Sequence, residues 1–424
     1  MKNKLLLIVV YFFTLTNLSS QITFQSPHYS VYSADRHHCG TVLKQALTYE
    51  KWPHLYDQRR EVERHAASWH QAHLMQSSSR LDSHMYEIPI VVHVVYANAT
   101  QNISEAQILS QIQILNQDFT KTNPDISSVP FVFSFVTADV GFTFCLATTD
   151  PNGQPTNGIN RVQTSVANIG DVSDGNIYYS AQGGVDAWDE DKYLNIWVCE
   201  IDSNGSLLGY ATPPGTAAAG EDGIVMDYKY FGTEGTVQAP YNGGRTLTHE
   251  VGHYFDLEHI WGDGDCTVDD GIFDTPIQES PYGGCPSFPQ SSCGTDDMFM
   301  NFMDYVNDDC MFMFTDGQKT KMVNALNASR PGLVTNNPAC ELTSIEVLNR
   351  SLKIFPNPTS GVIDWQFDQM ITQIQLYDGR GALVRSWLSD LPTSLDMRSH
   401  NNGLYYLVFH SNRGRIIKRI IKMD

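Results

Sequence analysis

The pattern of apolar and polar positions changes character several times along this chain, and the changes divide it into parts. Lys2 and Lys4 precede an apolar stretch from Leu5 to Leu15, which gives way to the small polar run Thr16-Asn17-Leu18-Ser19-Ser20. That is the pattern of a signal peptide over residues 1–20, with Gln21 as the new N-terminus. Eleven residues fall well short of the roughly twenty needed to cross a bilayer, and no later segment is apolar enough to span one. Residues 21–80 are rich in His, Gln, Ser and Arg, with a helical stretch from Glu50 to Met75 but no strong apolar periodicity. This part reads as a propeptide, removed later.

At Tyr86 the β-branched run YEIPIVVHVVYA predicts a buried strand that opens the main domain, residues 81–340. Ser104 is placed as an N-cap with Gln107 as its capping-box partner. Ile108, Ile112, Leu115 and Phe119 then follow at helical spacing, so one amphipathic helix should back the sheet. Further strands are predicted over Phe131 to Val136, Gly141 to Ala147, Tyr193 to Ile201 and Gly223 to Asp227. The stretch from Trp261 to Phe314 reads as loops, and Gln318 to Leu326 as a closing helix. Residues 341–424 carry short apolar runs separated by turn signals every ten or so residues, as expected for a small sandwich. The expected class is α+β: a mixed twisted sheet with a backing helix, a second main helix and a loop-rich lower part, followed by an all-β sandwich.

Composition narrows the function classes. The 424 residues exceed one ordinary core, and 42% apolar with only 17% charged residues argues against disorder. The net charge of −20 would repel nucleic acid and anionic lipid. Residues 341–424 hold ten Lys/Arg against eight Asp/Glu, so the negative charge lies before them. Export makes the eight cysteines candidates for disulfides. Four of them, Cys266, Cys285, Cys293 and Cys310, crowd into the loop-rich stretch, where spacing alone permits three connectivities. Cys145 and Cys199 lie in β-type apolar runs and read as buried thiols.

The strongest local signal is His249-Glu250-Val251-Gly252-His253, followed by His259. On a helix, His249 and His253 project from one face and can reach one metal ion. Glu250 beside them is placed to take a proton from water whose pKa zinc lowers to about 7. His259 can join only if the chain turns sharply after His253, and Asp256 lies where that turn is needed. Glycine is usual at such a helix end, but Asp tolerates a left-handed backbone at modest cost.

With these residues in place, the chain resembles the metzincin metallopeptidases of the pappalysin (cytophagalysin) family over about residues 85–335. The resemblance extends through HIWGDGDC, DTPIQ, GCP, DMFMNFMDY and CMFMFTDGQ, in the order the family shows. It implies that His249, His253 and His259 hold zinc and that Glu250 is the general base. It also implies that Met303 forms the Met-turn beneath the site and that Tyr305 donates a hydrogen bond to the oxyanion. Among the acids from Asp263 to Asp274, it implies calcium held by Asp270, Thr275 and the carbonyl of Phe273. The family pattern suggests Cys266 with Cys293 and Cys285 with Cys310. Cys39, in His37-His38-Cys39-Gly40, matches a cysteine switch that would fill zinc's fourth position; the other reading is an idle thiol. In a metzincin the chain past the Met-turn walls the pocket for the residue after the scissile bond. Asp308 and Asp309 stand there, with Asp309 next to Cys310 the preferred residue for binding Arg or Lys.

The tail resembles the C-terminal sorting domain of the type IX secretion system, through Phe355-Pro356-Asn357-Pro358-Thr359-Ser360-Gly361, LYDGRGALV and LDMRSHNNGLYYLVF. A carbohydrate-binding sandwich is the alternative. Taken together, these readings expect a monomeric zinc endopeptidase made as a zymogen. It would be exported by a Gram-negative bacterium to the medium or the cell surface, acting on protein or peptide substrates. The rival readings are a surface adhesin with an inactive protease-like module and a zinc amidase acting on cell-wall peptides.

Overall fold

The β-branched run at Tyr86 becomes β1 (Tyr86–Tyr96), buried without a break from Ile88 to Val95. Continuous burial follows from its position, because in the computed structural model β1 has neighbours on both edges and packing on both faces. The structure describes residues 39–74, 85–335, 340, 352–367, 371–388, 391–411 and 414–423. The signal-peptide reading, the leading segment through residue 38, and the junctions near residues 80 and 340 lie outside the described residues.

Two helices precede β1: α1 (Thr41–Lys51) and α2 (His54–Leu74). The single helical stretch expected from Glu50 is therefore broken, at Trp52-Pro53. Pro53 lacks the amide hydrogen that a helix interior needs, and it disfavours helical backbone in the residue before it. After β1 comes α3 (Glu105–Phe119), capped by Ser104, whose hydroxyl accepts from the Gln107 amide at 3.1 Å. The reciprocal half of the expected capping box is absent. The Gln107 side chain instead donates to the Phe231 carbonyl at 2.9 Å and accepts from the Thr236 amide at 3.1 Å, fixing a distant loop.

The main sheet adds β2 (Phe142–Leu146), β3 (Ile159–Gln163), β4 (Leu194–Cys199), β5 (Gly209–Ala211) and β6 (Ile224–Asp227). Its order is β2-β1-β4-β6-β5, with β3 continuing beside the second half of β1. All pairs are parallel except β5 with β6, so the sheet is mixed and β5 is an antiparallel edge. One face buries Ile88, Ile90, Val92 and Val94 against Ile108, Leu115 and Phe119 of α3 and against Leu247 and Val251 of α4 (Arg245–Tyr254).

The strand expected at Phe131 to Val136 is a single 3-10 turn over Phe131–Phe133. Only Phe133 is buried there, while Phe131 and Phe135 are exposed, and the Ser134 and Thr137 hydroxyls bond back to the carbonyls of Phe131 and Phe133. Side-chain bonds of this kind compete with sheet pairing. From Trp261 to Phe314 the chain is largely irregular apart from the two-residue strands β7 (Ser291–Ser292) and β8 (Thr295–Asp296). The closing helix α5 (Asp316–Ser329) begins at a complete capping box made by Thr315 and Gln318. At its end Arg330 is buried, donating to the carbonyls of Tyr254 and Thr212 and pairing with Asp222. One side chain thus locks the end of α4 to the chain leaving β5.

Cys145 is not a buried thiol. It is bonded to Cys340, because β2 is an edge strand and every second residue on it reaches the half-exposed face. Cys199, on the central strand β4, is free and buried. Cys266 is joined to Cys293 and Cys285 to Cys310.

The tail forms two antiparallel sheets. One contains β9 (Lys353–Phe355), β10 (Val362–Gln366) and β13 (Ser394–Asp396). The other contains β11 (Ile371–Asp378), β12 (Leu383–Trp387), β14 (Gly403–Ser411) and β15 (Gly414–Lys422). Ile363, Leu395, Ile374, Leu376, Leu407, Phe409 and Ile416 from both sheets share one separate core, as a sandwich requires.

Candidate active site

Helix α4 carries His249 and His253 one turn apart and then stops. The Leu257 amide bonds to the Gly252 carbonyl at 2.9 Å and the Asp256 amide to the His253 carbonyl at 3.0 Å, a Schellman turn. Its left-handed residue is Asp256, at φ 79°. A non-glycine residue here carries a modest steric cost. Its carboxylate has a partner, since Arg59 of α2 forms a buried ion pair with it. The turn sends the chain back so that His259 meets the two helical histidines.

The three imidazoles are buried, and each Nδ1 faces an acceptor. His249 Nδ1 lies 2.8 Å from the Phe302 carbonyl, His253 Nδ1 2.7 Å from the Leu257 carbonyl, and His259 Nδ1 2.6 Å from Asp263 Oδ1. A carbonyl can only accept, so Nδ1 carries the proton and Nε2 presents its lone pair. His253 Nε2 stands 3.1 Å from the Nε2 atoms of both His249 and His259. Burial, reinforced by the neighbouring imidazoles, holds His249 and His253 well below the usual histidine range, so both are neutral. Three converging lone pairs repel one another unless a cation sits among them. A three-nitrogen nest with thiolate or water as a fourth partner suits zinc.

Trp261 stacks on the His259 ring, with centroids 4.4 Å apart and planes 6° from parallel. Met303 is fully buried beneath the helix, and a side chain at Gly252 would come within 2.5 Å of its sulfur. Glycine at 252 is thus required by close packing and not by backbone conformation. Tyr305 places its hydroxyl 3.0 Å from His259 Nε2.

The fourth side of the nest is closed by the leading segment. The Cys39 sulfur and the three imidazoles offer ligand atoms within 4.8 Å of one another. Cys39 lies 3.6 Å from Glu250 Oε2, and the Thr41 hydroxyl donates to the same oxygen at 2.9 Å. Burial pushes the Glu250 carboxyl up to about 7 and the Cys39 thiol well above its ordinary value. Glu250 Oε1 is buried without a hydrogen-bond partner.

Other expected residues are differently placed. Asp309 is exposed, whereas Asp308 is buried and lines a small cavity with Leu208, Thr246, His249, Glu250 and Tyr305. Asp308 Oδ2 accepts from the Gly243 and Arg245 amides, which draws that side chain inward and leaves its neighbour facing out. In the acidic loop, Asp270 is buried and Thr275 donates to its Oδ1 at 2.7 Å, while Asp270 Oδ2 has no partner. The Phe273 side chain is exposed. Trp261 and Thr41 carry no motif that points to a role, and Asp263 reads in the sequence as one of the loop acids. Only Asp263 carried a signal, as a carboxylate four residues after a candidate ligand.

The family model Peptidase_M43, pregnancy-associated plasma protein-A, matches residues 178–327, and the model of the secretion system C-terminal sorting domain matches residues 353–423. An extracellular metalloprotease of Arthroderma benhamiae is 30% identical over 252 residues, covering 58% of this chain and 79% of that protein. The structure resembles mature mirolysin of Tannerella forsythia in complex with a cleaved peptide, with TM-score 0.56 and 45% identity over 59% of this chain and 96% of the other. It also resembles a variant of promirolysin from the same organism, with TM-score 0.62 and 41% identity over 70% of this chain and 97% of the other. No helix among the described residues is long and apolar enough to cross a membrane. The tail is a secretion sorting domain that places the protein outside the cell or at its surface. With the histidine nest, the sheet and these matches agreeing, the chain belongs to the Peptidase_M43 (pregnancy-associated plasma protein-A) family of zinc-dependent proteases.

Proposed function

We propose that this protein is a zinc endopeptidase stored as a zymogen, with His249, His253 and His259 holding the metal and Glu250 moving the proton. The observation that carries the reading is the convergence of three Nε2 lone pairs beside a buried carboxylate. Zinc held in such a nest would polarise the scissile carbonyl and let water lose a proton near neutral pH. Glu250 takes that proton on its carboxylate as the water oxygen bonds to the carbonyl carbon, and delivers it to the amine nitrogen as the C–N bond breaks. The Tyr305 hydroxyl, beside His259, donates a hydrogen bond to the oxyanion that forms, and Met303 supports the floor.

Latency follows from occupancy. Glu250 Oε2 is engaged by Thr41 and Cys39, so in this form it has no access to water or substrate. We read residues 1–20 as signal peptide, 21–80 as propeptide, 81–340 as catalytic domain and 341–424 as sorting domain. Two facts support this division. The promirolysin match covers a larger share of this chain than the mature mirolysin match, and α1 and α2 precede the sheet while Cys39 and Thr41 enter its cleft. Buried Asp308 takes over from exposed Asp309 as the carboxylate proposed to bind a basic side chain after the scissile bond. Calcium at Asp270, with Thr275 and the Phe273 carbonyl, is proposed from the unpartnered Asp270 Oδ2, which burial raises to about 7.

Three measurements bear on these roles. Glu250→Ala should keep its zinc while losing about 10²–10⁴-fold in turnover of an unstructured protein; a metal-loaded variant with more than about a tenth of wild-type turnover would remove Glu250 from the proton path. Asp308→Asn keeps the bonds to Gly243 and Arg245 but not the charge. It should lower kcat/KM for peptides with Arg after the bond by about 2 kcal/mol, roughly thirtyfold, against little change for Leu. Equal losses on both would make Asp308 structural. With zinc held constant, calcium at 100 times its Kd should raise the melting temperature by about 5–10 °C; a temperature that does not respond to calcium rules the loop site out.

A further inference from the structure

The leading segment touches the enzyme at a second buried place. Residues 39–41 run parallel to the edge strand β5: the Gly40 amide donates to the Gly209 carbonyl at 2.9 Å, and the Ala211 amide donates to the Thr41 hydroxyl at 2.8 Å. These are the backbone groups an extended substrate would use. One helical turn further on, Lys44 is buried and its Nζ lies 2.6 Å from Glu221 Oε2, with the Tyr178 ring centroid 4.6 Å away. Glu221 Oε1 accepts from the Tyr179 hydroxyl at 2.9 Å. The Glu221 backbone is fixed as well, its carbonyl accepting from Thr212 Oγ1 at 3.0 Å and its amide bonding to the Ala218 carbonyl at 3.0 Å.

Apart from Lys44, every group around Glu221 in this arrangement belongs to the catalytic domain. The carboxylate is positioned by its own backbone and by Tyr179, so it stays in place when α1 departs, opposite a vacated cation site. A buried carboxylate beside an aromatic face binds ammonium or guanidinium through charge-assisted hydrogen bonds and attraction to the ring. Leu208, at the start of β5, lines the cavity that holds Asp308, whereas Thr212, which fixes Glu221, follows the other end of the strand. If the cavity receives the residue after the scissile bond, the Glu221 end receives residues before it.

We propose that Glu221, Tyr178 and Tyr179 form a subsite for a Lys or Arg side chain upstream of the scissile bond, filled in the precursor by Lys44. A helical turn plus the reach of a lysine spans about 10 Å, or about three residues of extended substrate. The pocket therefore reads a position about two to four residues before the bond. The proposal rests on the peptidase reading given above and adds a second basic requirement to the one assigned to Asp308.

The test uses the zinc-loaded protein after removal of its leading segment by its own processing or by limited proteolysis. Fluorogenic peptides carry Lys, Arg, norleucine or Glu at one of the three upstream positions, the rest being constant. The expected result is about tenfold higher kcat/KM for Lys or Arg than for norleucine at one position, and a ratio near one in Glu221→Gln. A wild-type profile flat across all three positions overturns the subsite without any variant having to fold. So does a preference that survives in Glu221→Gln protein of unchanged melting temperature. Failure to hydrolyse any peptide counts instead against the peptidase reading, and the subsite falls with it.

Discussion

Three imidazole lone pairs directed at one buried point are the constraint around which this catalytic domain is arranged. Left alone they repel, so every neighbouring element either holds a ring in position or supplies what fills the space between them. The carbonyls of Phe302 and Leu257 and the carboxylate of Asp263 fix the tautomers, and Trp261 fixes the plane of His259. The Schellman turn at Asp256 makes the third ring reachable, and Arg330 anchors the helix end from which that turn departs.

Under the proposed zymogen reading, the same geometry would let the leading segment close the site with few contacts. It places a sulfur beside the nest, engages Glu250, and adds two buried ion pairs, Lys44 with Glu221 and Arg59 with Asp256. The Arg59 pair reaches the left-handed residue of the ligand turn itself. An Asp there has a use that glycine could not serve, which offsets its conformational cost. Burying these pairs is favourable only while both partners stay together, so displacement of α1 and α2 leaves two carboxylates needing water or new cations.

Much of this was legible in the sequence because it depends on local spacing. The i, i+4 histidines, the β-branched run of β1, the α3 periodicity and the alternating strands of the tail each need only a short window. What escaped depends on distant partners. Cys145 is half-exposed because β2 turned out to be an edge, and its partner lies 195 residues away. Asp308 and Asp309 are adjacent and chemically alike; the Gly243 and Arg245 amides decide between them from another loop. Gln107 fits a capping box by spacing, yet the loop near Phe231 claims its side chain. The aromatic run at Phe131 has strand propensity, but the Ser134 and Thr137 hydroxyls bond back to its own carbonyls.

The central claim is that one nest of nitrogens takes zinc and that Cys39 closes it in the precursor. Zinc K-edge X-ray absorption on the full-length protein tests this most directly. The expected spectrum has nitrogen scatterers plus one sulfur at about 2.3 Å, with the sulfur lost after processing and in Cys39→Ser. A precursor spectrum with only nitrogen and oxygen around the metal would contradict it.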